Sequence, residues 1–177
     1  CAGVEGYCVF KDVSVTLRTL IRHRMIRRAA VIDCDVHQGN GTAEILGQES
    51  DVFTFSIHGE KNFPLRKHPS HLDIDLPDGT SDEAYLQALQ WGLEQVMQSG
   101  RYDLAIYLAG ADPYEGDRLG RLKLSKEGLK RRDRLVLNWL AAHDCPVAIA
   151  MAGGYAPVVD DIVDIHANTI ALASQSW

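Results

Sequence analysis

Residues 31–42 read VIDCDVHQGNGT, in which Asp33, Asp35 and His37 are each separated by one residue. Carboxylates this close repel one another, and burying them unpaired is costly. A divalent cation removes both difficulties. Aspartate oxygen and histidine nitrogen both ligate zinc, and three protein ligands with one open position is the catalytic arrangement. Asp112, just past an apolar run in AGADPYEGD, is the natural third ligand beside Asp35 and His37. For a single aspartate, capping a helix or binding loop amides is the simpler role. D-x-D-x-H at one strand end, with Asp112 at another, outweighs it. The glycines of QGNGT let backbone turn close to such a site, and Asn40 can hydrogen-bond a group behind the ligands. Gly153 and Gly154 precede Tyr155, a tyrosine placed either to donate to a developing oxyanion or simply to pack.

Elements must bring these residues together. Residues 12–28 read as a helix with Val13, Leu17, Leu20 and Ile21 on one face, and 29–36 as a strand. If 29–36 is a strand, Asp35 and His37 share a face, since side chains two apart point the same way. A short helix at 42–47, strands at 52–58 and 71–76, and a charged loop between those strands follow. Thr80 and Glu83 match a capping box for a helix running to about Gln98. Strands at 102–111 and 146–154 flank a helix that Ser125 can cap, and Pro157 suits the start of a last helix. Apolar strands alternating with amphipathic helices predict a three-layer α/β/α domain with a mainly parallel sheet. Ligands then bind outside the carboxyl ends of the strands, where the polar residues gather.

The bulk properties narrow the function. The chain has 177 residues and a net charge of −6, which suits one domain over 1–177 and argues against direct nucleic-acid binding. The basic run RTLIRHRMIRR (18–28) reads as a solvated helix face. No apolar run reaches the roughly 18 residues that span a bilayer. The four cysteines form no CxxC pair, which predicts reduced thiols and a cytoplasmic location.

DCDVHQGNGT, AGADPYEGD and MAGGY, in this order, closely resemble the histone deacetylase superfamily, with its arginase–deacetylase fold. GYCVFKDV and the run from KNFPLRK through LDIDLPDGTSDEAY resemble its bacterial branch, and the likeness extends from about Gly6 to about Ala173. By position the resemblance implies Asp35, His37 and Asp112 as zinc ligands, with iron(II) an alternative, and Tyr155 as the catalytic tyrosine on the substrate carbonyl. It implies Asp33 and Asn40 behind the metal, where the family orients a tandem histidine pair. Tyr7 and Phe63 would wall the acyl-lysine channel, with Gly153 and Gly154 beside it. Asp33, Asp35, His37, Ser56 and Ile57 fall where the family binds a structural potassium ion. The implied reaction is hydrolysis of an acyl-lysine or acetylated polyamine amide, through metal polarisation of the carbonyl and activation of water.

The chain departs from the pattern in two respects. The family's general base belongs to a His-His pair upstream of GYCVF, and the chain begins after that point. His58, His68 and His71 fall in other motifs or loops, and Lys11 stands where the resemblance leads to asparagine. The expectation is a domain missing its N-terminal strands. It builds most of the metal site and, without the base, is weakly active or inactive, since general-base help is worth about 10²–10⁴-fold. Missing strands beside 29–36 would leave an open edge and favour a homo-oligomer. Two rivals stand beside this reading. A non-catalytic module would bind metal or acyl-lysine without turnover. A haloacid-dehalogenase-type magnesium phosphotransferase would use Asp33 and Asp35, but His37 suits zinc or iron better than magnesium.

Overall fold

The computed structural model describes residues 10–176. In chain order the elements are α1 (Asp12–Arg22), β1 (Ala29–Asp33), α2 (Asn40–Leu46), β2 (Val52–Gly59) and β3 (Leu72–Leu76). α3 (Asp82–Gln98), β4 (Leu104–Leu108), α4 (Lys126–Ala142), β5 (Val147–Ala150) and α5 (Val159–Ser176) follow. The five strands form one parallel sheet in the order β3-β2-β1-β4-β5.

The pleat of β1 sorts its residues between two layers. Ala30 and Ile32 pack with Phe55, Ile57, Ala105 and Tyr107 under Leu89 and Leu93 of α3, Leu137 of α4 and Ile165 of α5. Ala29 and Val31 pack with Val52 and Ile106 under Leu17 of α1 and Leu46 of α2. Every residue of β1 is buried, as its apolar composition predicts. Full burial of such a side chain contributes about 1.5–3 kcal/mol. The three-layer α/β/α architecture follows from this two-sided burial.

Four expectations need correction. α1 stops at Arg22 rather than 28, because Arg24 takes a left-handed φ of 57° and Met25 N–H turns back to the Leu20 carbonyl. The basic run is therefore not one helix face. The main-chain N–H groups of Arg27 and Arg28 donate to Asp103, at 2.7 and 3.1 Å, anchoring the entry to β1. No capping box forms at α3. Ser81 is the N-cap residue, Thr80 Oγ1 donates to the Pro77 carbonyl and Glu83 pairs with Arg131. Those partners win because α4 brings a guanidinium within reach of Glu83. The cap at Ser125 does form, its Oγ accepting from Gly128 N–H at 2.9 Å.

The third correction concerns the edge. β1 is hydrogen-bonded to β2 on one side and β4 on the other, so no open edge lies beside it. The edges are β3 and β5, and the homo-oligomer expected from an open edge at 29–36 loses that basis. The fourth is the length of β1, which ends at Asp33 instead of 36.

Candidate metal centre

Because β1 ends at Asp33, the motif leaves the sheet before Asp35 and His37. Asp33 Oδ1 accepts from the Asp35 N–H at 3.1 Å, and Asp35 Oδ1 accepts from the His37 N–H at 2.9 Å. These are successive turns in which an aspartate side chain caps the amide two residues on. Asp35 and His37 thus converge through turn geometry, not through the pleat that their spacing suggests.

Asp112 arrives from the loop after β4 and is fully buried. Its Oδ1 accepts from the Val36 N–H at 2.9 Å, which ties the two loops together. His37 Nδ1 lies 3.2 Å from Asp35 Oδ1 and 3.1 Å from Asp112 Oδ2. One ligand atom from each of Asp35, His37 and Asp112 falls within 4.8 Å of the others. Asp112 is closed to solvent, while Asp35 and His37 are half-buried, so one side stays accessible. The end of β5 closes the opposite side, where Gly153 N–H donates to Asp35 Oδ2 at 2.7 Å. A Cβ on Gly153 would sit 2.1 Å from Asp112 Oδ2, so only glycine fits there.

The electrostatics point to a cation. Burial and the charge of Asp35 push Asp112 up to about 7. Burial and the same charge raise Asp33 well above the usual carboxylate range. Burial alone would lower His37, but its hydrogen bonds to Asp112 and Asp35 outweigh that and raise it to about 10. Burial would likewise raise Asp35, yet hydrogen bonds from His37 hold it low. His37 Nδ1 thus faces both carboxylates across the space that a metal ion would fill. An O, N, O donor set with an accessible side fits zinc or iron(II).

Tyr155 stands over this cluster. Its ring is 6.1 Å from that of His37, at an interplanar angle of 80°. Its backbone is clamped, the N–H donating to Asp117 Oδ2 at 2.6 Å and the carbonyl accepting from Arg118 Nε at 3.1 Å. Asp117 Oδ1 also accepts from the N–H groups of Leu119 and Gly120.

The histone deacetylase domain family matches residues 1–170. The chain belongs to the histone deacetylase family. That family is one of hydrolytic deacetylases, and the match sets the phosphotransferase reading aside. The chain is 31% identical to histone deacetylase 2 of Arabidopsis thaliana, over 85% of its own length and 40% of that protein's. It is 27% identical to a histone deacetylase-like amidohydrolase of Pseudomonas aeruginosa, over 85% of its length and 43% of that protein's. An uncharacterised protein of Picosynechococcus is 44% identical, over 92% of this chain and 54% of the other. The chain thus spans about half the length of the curated relatives it matches. Among solved structures, acetylpolyamine aminohydrolase from Burkholderia pseudomallei superposes with a TM-score of 0.81 at 22% identity, over 96% of this chain and 51% of the other. A histone deacetylase homologue from Aquifex aeolicus gives 0.80 at 22% identity, over 97% and 48%. Both share the fold.

The remaining expected residues of this histone deacetylase family member are placed as follows. Asp33 is buried behind Asp35 and pairs in register with Ser56 of β2. Ser56 Oγ lies 2.8 Å from His58 Nδ1, and Ile57 follows it in the same strand, fully buried. Asn40 opens α2 and lines a surface depression with Phe63, Pro64 and Leu65. A Cβ on Gly154 would lie 3.0 Å from Ile162 and 3.2 Å from Ala111. Tyr7 lies outside the described residues, as do Cys1 and Cys8. Among the described residues no helix is long and apolar enough to cross a membrane.

Sequence reasoning missed Asp117 and Arg118, which hold Tyr155, and Gln38. The Gln38 side chain bridges to the loop after β2 through the backbone of His68 and to β3 through Asp73. A second aspartate five positions after Asp112, in a loop rich in glycine, was the available signal for Asp117.

Proposed function

We propose that this chain carries the metal centre and the oxyanion-binding tyrosine of a zinc- or iron(II)-dependent deacetylase that acts on acyl-lysine or acetylated polyamine amides. The observation behind this reading is the convergence of Asp35, His37 and Asp112 within 4.8 Å. When bound, the ion supplies Lewis acidity for the amide carbonyl and for a water.

The chain's own residues do the rest. Asp35 and Asp112 provide the negative charge that retains the ion, and His37 provides nitrogen through the Nδ1 that faces both carboxylates. Tyr155 donates from its hydroxyl to the oxygen that gains charge, its backbone fixed by Asp117 and Arg118. Phe63 and Leu65 offer an apolar wall near Asn40 for the aliphatic stem of the substrate. A potassium ion between the turn at Asp33 and the Ser56–Ile57 segment would help hold the turn that orients Asp35 and His37; the register pairing of Asp33 with Ser56 supports it. Proton transfer is the weak step. His58, His71 and His143 bond to Ser56, Thr54 and Trp139, and among the described residues His37 is the one histidine in the Asp35–His37–Asp112 group, where it is taken as a ligand and not a base. A chain without general-base help would turn over about 10²–10⁴-fold more slowly than a base-assisted site.

The test is elemental analysis of the purified chain, followed by hydrolysis of acetyl-lysine peptide and acetylated polyamine. About one zinc or iron per chain, lost in Asp112→Asn, with slow hydrolysis lost in the same variant, supports the proposal. Metal and acyl-lysine binding with no turnover would instead make the chain a binding module. Absence of bound metal after reconstitution would overturn the metal reading.

A further inference from the structure

The apolar core above the metal centre contains an ion pair. Arg132 and Asp133 of α4 are both fully buried, at 0% exposure. Arg132 Nε donates to Asp133 Oδ1 at 2.8 Å. Asp133 is saturated from other elements, since Tyr107 Oη of β4 donates to its Oδ1 and Thr169 Oγ1 of α5 to its Oδ2, both at 2.5 Å. A charge pair placed so deep is expensive, and hydrophobic residues of similar volume would cost less. Unlike an apolar pair, it can donate hydrogen bonds to groups outside α4.

The far end of the guanidinium makes such bonds. Arg132 Nη1 donates to the Gly110 carbonyl at 2.6 Å and lies 3.4 Å from the Cys34 carbonyl. β1 ends at Asp33 and β4 at Leu108, so both carbonyls lie just past the regular strands. The last rung there is Cys34 N–H to the Leu108 carbonyl, at 3.0 Å. Buried carbonyls beyond the ladder need a donor. Cys34 immediately precedes Asp35, and Gly110 lies two residues before Asp112. The two loops also touch, since a Cβ on Gly110 would fall 2.8 Å from Asp35 Cα.

We propose that Arg132, aimed by Asp133, is a positioning residue of the metal centre: one guanidinium nitrogen spans the ends of β1 and β4 and fixes Asp35 and Asp112 relative to each other. The inference rests on the metal reading above. A planar fork held at one end by a carboxylate delivers its other end with little freedom, which a lysine ammonium cannot do. Supporting groups behind metal ligands are typically worth about 10–100-fold in metal affinity.

The experiment titrates the purified chain with cobalt(II), read by visible absorption, and with zinc, read by calorimetry. The variants are Arg132→Lys and the neutral double variant Arg132→Met/Asp133→Asn. Circular dichroism and a cooperative melt establish folding. The expected result is a folded double variant whose metal dissociation constants rise about 10–100-fold, with an altered cobalt spectrum. Arg132→Lys should shift the same way by less. A folded double variant that binds cobalt within twofold of the parent, with the same spectrum, overturns the proposal. If the double variant does not fold, Arg132→Lys decides on the same readouts. A parent chain that binds neither metal sinks the metal reading itself, which is a different outcome from a parent that binds and a variant that binds equally well.

Discussion

Gly153 and Asp35 meet across the two halves of the described chain, the N–H of one donating to Oδ2 of the other at 2.7 Å. The contact seats the end of β5 against the metal cluster. A methyl group on residue 153 would lie 2.1 Å from Asp112 Oδ2 and 2.7 Å from Asp35 Oδ2, closer than atoms approach without displacement. Gly153→Ala should therefore push the two carboxylates apart. The expected outcome is loss of bound metal by elemental analysis, with the far-UV spectrum retained. A variant that still holds one ion per chain would refute this packing.

Asp117 accepts three backbone N–H groups, from Leu119, Gly120 and Tyr155. Each such bond contributes about 1 kcal/mol net, and charge-assisted ones more. Asp117→Ala is expected to lower unfolding free energy by about 2–4 kcal/mol and to weaken binding of an acetyl-lysine peptide, since Tyr155 loses its anchor. Urea denaturation and peptide titration check the two effects. Metal content should change little, because Asp117 touches none of the three ligands.

His58 gives a pH prediction. It is fully buried at the end of β2, with Nδ1 2.8 Å from Ser56 Oγ. Asp75 Oδ1 lies 2.9 Å from Nε2 without the alignment of a hydrogen bond. Burial lowers its pKa below 6.5, against the charges of Asp75 and Asp73 and together with that of Lys67. The unfolded chain takes up this proton near pH 6.5, whereas the folded chain takes it up only lower. Across that window the unfolded state binds more protons, so the histidine's contribution to stability falls as pH drops. His58→Gln should shrink the loss of stability between about pH 7.5 and 5.5 that urea titrations measure. An equal or steeper loss in the variant would count against the assignment.

Ala152 has a left-handed φ of 55° and is exposed. That conformation costs a residue with a Cβ about 1–2 kcal/mol. Ala152→Gly removes the clash without emptying any packed space, and is expected to stabilise the chain by about 0.5–1 kcal/mol. The urea midpoint measures it, and metal affinity should stay unchanged.

Much of this could be read from the sequence, and the residues show where reading stopped. The parallel sheet followed from strands such as AAVID, apolar on both faces. The convergence of Asp35, His37 and Asp112 within 4.8 Å was legible from chemistry, because carboxylates brought that close are eased by a cation. The route by which they converge did not follow, since Asp33 and Asp35 cap amides two residues on and so end the strand early. Thr80 and Glu83 had the spacing of a capping box, but the nearby Pro77 carbonyl took the Thr80 hydroxyl and Arg131 of α4 took Glu83. Arg132 and Asp133 were concealed in KRRDR, which looks like a solvated run. Their positions relative to Leu129, Val136 and Leu140 place them on the apolar stripe of α4, and a charge on such a stripe is the signal.

β1 lies at the centre of the sheet, paired on both sides and closed on both faces. Asp35 and His37 follow it within four residues, and Asp112 follows its neighbour β4 as closely. Central strands of this kind open only when the whole domain opens. An ion seated at their ends is therefore linked to the global unfolding equilibrium and not to the fraying of a loop. Its binding adds to that equilibrium as RT ln(1 + [L]/Kd), so saturating metal should slow amide exchange in β1, β2 and β4 by one common factor. The centre would serve as a thermodynamic keystone as well as a reaction site.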